Sequence, residues 1–218
     1  MSPRPQIDHV RRPQLLEAAA GVIAERGIAA TRIADVAERA GTSPPAVLYW
    51  FKSKDELLAE ALTIQEERFY GQLTKRMDAL SSQRAKLRLM LEASADEYDW
   101  TMWMELWTRA LRDSSASSAR SRLDERWRSQ IAAVIREGQR TGEFGEADTD
   151  DAALILASLI DGLAVQVTLG DPGVTKERML ERAVEIAESL LDCELGAAAY
   201  ETAAVPRLAD AERRRELE

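Results

Sequence analysis

The sequence predicts an all-α fold, and three observations carry that prediction. Apolar residues recur at spacings of three and four along nearly the whole chain, with no sustained strand-like alternation. Most periodic stretches open on Ser, Thr or an acidic residue, and several close on Gly. A hydrophobic fraction of 45% over 218 residues is enough for a proper core, and the 31% of charged residues are too interspersed with aliphatics for a disordered chain.

The first helix is expected from Pro13 to Arg26, with Leu15, Leu16, Ala19, Val22 and Ile23 as its apolar stripe and Gly27 as its stop. Thr31 is expected to cap a second helix that carries Ile33, Val36, Ala37 and Ala40 on one face and ends at Gly41. Ser43 caps a third, Pro44 to Phe51, whose prolines sit where backbone N–H groups have no intrahelical partner anyway. Ser53 and Glu56 read as a capping box for a long fourth helix to Leu80.

Further helices are expected over Arg84 to Ala95, Tyr98 to Leu111 and Ser121 to Arg140, with "RDSSASSARS" as a Ser-rich break before the last of these. Acidic residues open a helix over Ala152 to Thr168, where they suit the helix dipole, and Thr175 caps a final one to Leu195. The division expected is a head over 1–55, a body over 56–195 and a loosely ordered tail over 196–218.

The net charge of −9 is unevenly spread. Residues 1–54 hold eight Lys/Arg against five Asp/Glu, and the remainder holds 21 against 33. A mildly basic head on a strongly acidic body points to an anionic partner for the head alone. No apolar run approaches the ~20 residues of a membrane span, and the N-terminus is polar and proline-broken. The single Cys193 fits a reducing compartment. A cytoplasmic protein with no membrane partner is expected.

Two short helices joined by "AGTS" and braced by a first make a helix-turn-helix. Its buried side is expected to hold Val47, Leu48 and Phe51 against Ile33, Val36 and Ala37, leaving Pro44, Pro45, Ala46, Tyr49 and Trp50 outside. Such a surface enters a major groove about 12 Å wide, where its small and apolar side chains favour thymine methyls. Lys52, Lys54, Thr31 and Arg32 flank it and suit phosphates, and Arg11 and Arg12 can reach the backbone or minor groove.

The stretch "TRIADVAERAGTSPPAVLYWFKSKDELLAEAL" closely resembles the N-terminal domain of TetR-family transcriptional regulators, through the joint spacing of Gly41, Ser43, Phe51, Lys54 and Leu57. The resemblance implies phosphate contacts by Thr31, Ser43, Tyr49 and Lys54, and groove-facing positions for Pro44, Pro45, Ala46 and Trp50. Leu48 departs from the family's frequent tyrosine, and Trp50 from its histidine or tyrosine. The stretch "LASLIDGLAVQVTLGD" resembles the family's choline-regulator branch. The family implies a homodimeric repressor released from its operator by a small molecule.

The body's own residues fit that reading. The 152–168 helix is apolar nearly all round, with small Ala153, Ala157 and Ala164, and Leu180, Val184, Ala187 and Leu191 form a seam on the last helix. A homodimer through these two helices is expected, with paired recognition helices about 34–36 Å apart reading a palindromic operator in double-stranded DNA. Trp100, Trp103 and Trp107 share one face of their helix, which makes them either core or one wall of a pocket. Asp96, Glu97, Asp99 and Glu105 lie near them in sequence, and Asp161 interrupts an apolar helix. Either Asp161 pairs with Arg109 or Arg112, or Trp100, Trp103, Glu105, Trp107 and Asp161 bind a cationic amine inducer through cation–π and carboxylate contacts.

An enzyme is not expected. One His and one Cys leave no material for a triad, and the chain lacks a P-loop and a His/Cys metal cluster, so neither metal nor cofactor is expected. The alternative function is a helical ligand- or partner-binding protein of the same fold without specific DNA binding.

Overall fold

The structure, a computed structural model, describes residues 12–96 and 100–196, so Arg11, Glu97, Asp99 and the expected tail beyond Gly196 lie outside the described residues. Among the described residues there are nine α-helices and no strand: α1 Arg12–Ala30, α2 Ile33–Arg39, α3 Pro44–Trp50, α4 Lys54–Asp78, α5 Gln83–Asp96, α6 Trp100–Ala110, α7 Ser114–Thr141, α8 Thr149–Thr168 and α9 Lys176–Leu191. They fall into two compact units. Unit one runs to Tyr70 and includes Thr101–Arg112, and unit two holds Gly71–Trp100 and everything from Asp113. The division therefore lies inside α4, and most of α6 belongs with the head rather than with the body.

In unit one, the α1 stripe of Leu15, Leu16, Ala19, Val22 and Ile23 is buried against Val36, Ala37, Val47, Phe51, Leu57, Leu58 and Ala61. A core of this make-up explains how a seven-residue α3 persists, since an isolated helix that short is marginal in water. Gly27 does stop the regular helix, at φ 77° and ψ 164°, but a further turn over Ile28–Ala30 continues beyond it. Gly41 adopts φ 65° in the turn before α3, a conformation an L side chain resists.

Three caps differ from expectation. Ser43 stands at the N-cap of α3, but its side chain makes no cap hydrogen bond. Arg32, not Thr31, is the N-cap of α2, with its backbone N–H donating to Asp35 Oδ2 at 3.1 Å. The buried Thr31 instead turns its hydroxyl back to Gly27 O at 2.7 Å. At α4, Ser53 Oγ accepts from Glu56 N at 3.1 Å, while the Glu56 carboxylate reaches past Ser53 to Lys52 N at 2.7 Å.

Unit two is a bundle in which α5 and α8 each pack against both α7 and α9. The serine-rich stretch is helical rather than a break: α7 starts at Ser114, and Ala116 N donates to Asp113 Oδ1 at 3.3 Å just before it. Asp148 and Thr175 cap α8 and α9 through their side chains, as the acidic and Thr starts predict. Contrary to the sequence expectation, α8 is long and apolar enough to cross a membrane by length and composition alone. Its Ala152, Ala153, Leu156, Ala157, Ile160 and Ala164 are nevertheless buried within the unit. The seam expected on α9 is also corrected: Val184, Ala187 and Leu191 are buried inside unit two, and Ile186 is the exposed large aliphatic of that helix.

Candidate functional site

The outward surface of α3 is built from residues that cannot all turn inward on a helix of two turns. Ser43, Pro44 and Pro45 are exposed at its start. Leu48, Tyr49 and Trp50 follow at 48%, 69% and 39% exposure. The Tyr49 and Trp50 rings meet edge to face, with centroids 5.7 Å apart and planes at 87°, a favoured aromatic geometry that fixes both side chains. Arg32 and Lys52 are exposed beside this surface. Lys54 is half-buried, and its Nζ donates to Ala29 O at 3.3 Å.

Two predicted contacts are not presented to a partner. Thr31 is 1% exposed and Ala46 is buried, so neither belongs to the outer surface. Leu48 takes the exposed place that the sequence reading gave Ala46. The two flank Val47 at about 100° on either side of the helix axis, and the smaller side chain is the one covered. Arg12 is also committed: its guanidinium pairs with Glu60 at 2.5 Å and stands 5.2 Å over the Phe51 ring.

Within unit one, α6 is fastened to the head by residues that sequence reasoning assigned elsewhere. The Glu105 carboxylate, expected at a ligand, accepts instead from Ile28 N and from Ala29 N, the latter at 3.2 Å. These amides open the turn beyond the Gly27 break, so Glu105 satisfies donors that no helix carbonyl reaches. A Cβ on Gly27 would stand 2.5 Å from Glu105 Oε1. Arg109 pairs with Asp55 at the start of α4. The only sequence signal for this role was a carboxylate and an arginine four apart on a Trp-rich helix; their partner segments emerge only from the fold.

The tryptophans divide. Trp103 is buried and Trp107 half-buried, with ring centroids 6.3 Å apart and planes tilted by 58°. The Trp107 indole N–H is buried with no acceptor among the described residues. Trp100, in unit two, donates its indole N–H to Ser94 O at 2.8 Å.

Asp161 sits on α8 in unit two, half-buried, with no hydrogen bond or ion pair among the described residues. Burial first, and the neighbouring Asp124 second, push its carboxyl up to about 6 against the pull of Arg120 and Arg128. Of the two expected partners, Arg109 pairs with Asp55 and Arg112 makes no ion pair with Asp161 among the described residues, while the nearby Arg120 is spent on Asp124 at 2.7 Å. Asp124, which sequence reading passed over, opposes ionisation of Asp161, while Arg120 and Arg128 favour it.

A three-helix head with an exposed, proline-started third helix and flanking basic residues defines a helix-turn-helix DNA-binding protein. Comparison with known proteins agrees. Residues 15–61 match the bacterial regulatory proteins of the tetR family, and residues 83–192 match the C-terminal region of BetI-type transcriptional repressors. The HTH-type transcriptional regulator BetI of Burkholderia mallei is 29% identical over 181 residues, covering 80% of this chain and 90% of that protein. A transcriptional regulator from Saccharomonospora viridis, solved in complex with choline, superposes with a TM-score of 0.76 at 30% identity, over 83% of this chain and 96% of that one. A TetR-family regulator from Rhodococcus superposes with a TM-score of 0.69 at 27% identity. The chain belongs to the TetR family of transcriptional regulators, with a BetI-type C-terminal region, and it is not an enzyme.

Proposed function

We propose that this regulator is a homodimeric repressor that holds a palindromic operator until a cationic amine, a polyamine or a quaternary ammonium compound, binds its C-terminal region. The observation that carries the ligand class is Asp161: a desolvated carboxylate without a partner is costly, and a bound organic cation offsets that cost. The choline carried by the Saccharomonospora viridis relative supports the same class. Trp103 and Trp107, in unit one, are a separate candidate contact, since indole faces attract cations with about 0.5–2 kcal/mol. Glu105 is removed from the ligand set because its oxygens serve the backbone.

On the DNA side, the proposed set is Arg32, Ser43, Tyr49, Lys52 and Lys54 toward phosphates, with Pro44, Pro45 and Trp50 toward the groove. Lys54 reaches a phosphate by leaving Ala29 O, a single exposed contact. The second copy is proposed to cover the apolar residues that unit two leaves exposed, Leu154, Ile155, Leu169 and Ile186. Leu154 and Ile155 lie on α8, Leu169 is its C-cap and Ile186 lies on α9, so the exposed large aliphatics of unit two fall on the two helices proposed for the interface and suit an association surface. The proposed compartment is the cytoplasm, where operator and regulator meet.

The route from ligand to operator runs through unit one. α6 carries Trp103 and Trp107 along with Glu105 and Arg109, which hold the α1–α2 corner and the start of α4. A ligand that prefers a shifted α6 loosens the operator only as far as that preference extends. Titrating the full chain with choline, spermidine and a fatty acid tests the class. Thermal stabilisation by choline or spermidine is expected, and stabilisation by the fatty acid alone contradicts it.

A further inference from the structure

We propose that Leu48 is a base-reading residue, and that the operator half-site is recognised chiefly through thymine methyl groups rather than through hydrogen bonds to purines. The inference deepens the DNA-binding reading and rests on it.

α3 lacks every side chain that makes a bidentate contact to a base edge. Its seven residues, PPAVLYW, include no Arg or Lys for guanine, no Asn or Gln for adenine and no Asp or Glu for cytosine. The polar tips outward of α3 are the Tyr49 hydroxyl, the Trp50 indole N–H and the Ser43 hydroxyl at its cap, and single groups of this kind discriminate weakly between base edges. What the surface offers in quantity is hydrocarbon. Pro44, Pro45 and Leu48 are all exposed, and Leu48 joins Tyr49 and Trp50 as three consecutive large side chains outside the core. A single exposed leucine is ordinary, whereas Pro44 and Leu48, and Pro45 and Tyr49, stand four apart on the helix, so four exposed side chains share one outward face that suits a partner.

The floor of the major groove has one apolar feature, the thymine C5-methyl. A leucine brought to that floor gains only where a methyl meets it. Leu48 also stands between Pro44 and Tyr49 along the outward surface, whereas Arg32 and Lys52, at the ends of the motif, supply the charge that holds the head to the backbone without reading sequence. Affinity and base choice are therefore assigned to different residues.

The test selects bound sites from a random duplex pool with the full chain, then replaces each thymine of the half-site in turn by deoxyuridine, which deletes only the methyl. The expected result is a thymine-rich half-site in which at least one replacement weakens binding about fourfold, the worth of one buried methyl-sized group. Leu48→Ala, at an exposed position that the fold does not need, should lose a similar factor and make that same replacement nearly neutral. A half-site fixed by guanines, with deoxyuridine tolerated everywhere and Leu48→Ala silent, overturns the proposal while leaving DNA binding intact. Failure to enrich any sequence removes the DNA-binding reading itself, and Leu48 with it.

Discussion

The Glu105 carboxylate accepts a hydrogen bond from the backbone N–H of Ile28, one residue past the break in α1. A side chain on the Trp-rich helix thus caps a turn in the DNA-binding head, 77 residues away in sequence. Hydrogen bonds to charged groups contribute about 1.5–3 kcal/mol, and removal of the acceptor leaves two amides unserved. Glu105→Ala should lower stability by that order and weaken operator binding more than ligand binding. Glu105→Gln, which keeps an acceptor oxygen, should recover part of the loss. Urea unfolding and operator titration of both variants check this.

Gly27 tests the same junction from the other side. Alanine there meets both a φ of 77° and an Oε1 atom 2.5 Å from its new Cβ. Gly27→Ala should destabilise unit one by about 1–3 kcal/mol, as strained backbone sites do. Gly71, also on a long helix, has open space around its added Cβ and no unusual φ, so Gly71→Ala should be neutral or stabilising. Thermal unfolding separates the two.

Asp161 makes a pH prediction with a definite sign. Its folded-state carboxyl lies near 6, above its ordinary value of 3.8. The folded chain therefore binds the proton more tightly than the unfolded chain, and this group's contribution to stability is complete below about pH 4 and is lost as pH rises through 6. Asp124, Arg120 and Arg128 are the charged groups that face it, and they remain in place in Asp161→Asn. That variant should be roughly 1–2 kcal/mol more stable than the parent at pH 7.5, after allowance for solvent screening, and close to the parent at pH 4.5. Affinity for a cation should run the other way, strengthening as the carboxylate ionises through pH 6.

Phosphate contacts are distinguished from structural ones by salt. Lys52→Ala should reduce the slope of log affinity against log salt by about one and weaken all sequences alike. Thr31→Val removes a buried hydroxyl bonded to Gly27 O, so it should cost about 1 kcal/mol of stability and leave that slope unchanged. A changed slope in Thr31→Val returns that residue to the phosphate set.

Much of the head was legible because its signals are local and redundant. The spacing of Gly41, Pro44 and Phe51 fixes turn, helix start and core anchor within eleven residues, and each takes that role here, while Ser43 holds the N-cap position without a side-chain cap hydrogen bond. What misled was phase. On a seven-residue helix, Ala46 and Leu48 are equally plausible neighbours of Val47, and hydrophobicity alone chose the larger one for the core. The serines of 114–121 read as a break because Ser favours caps and turns, yet packing of Ala116 and the continuing helix overrides that weak preference. On α9 the regular spacing of Val184, Ala187 and Leu191 was real, but spacing does not say whether a stripe meets its own chain or another. Glu105 was beyond sequence reasoning, because its partners are backbone amides.

The central claim is an operator grip that an organic cation releases. Its most direct measurement is fluorescence anisotropy of the full chain on the duplex from upstream of its own gene, at fixed salt, with and without choline. Tight, salt-sensitive binding that choline weakens is expected, with Asp161→Asn still gripping the duplex but no longer released. Binding that is indifferent to choline in the parent, or equally weakened by it in Asp161→Asn, contradicts the account.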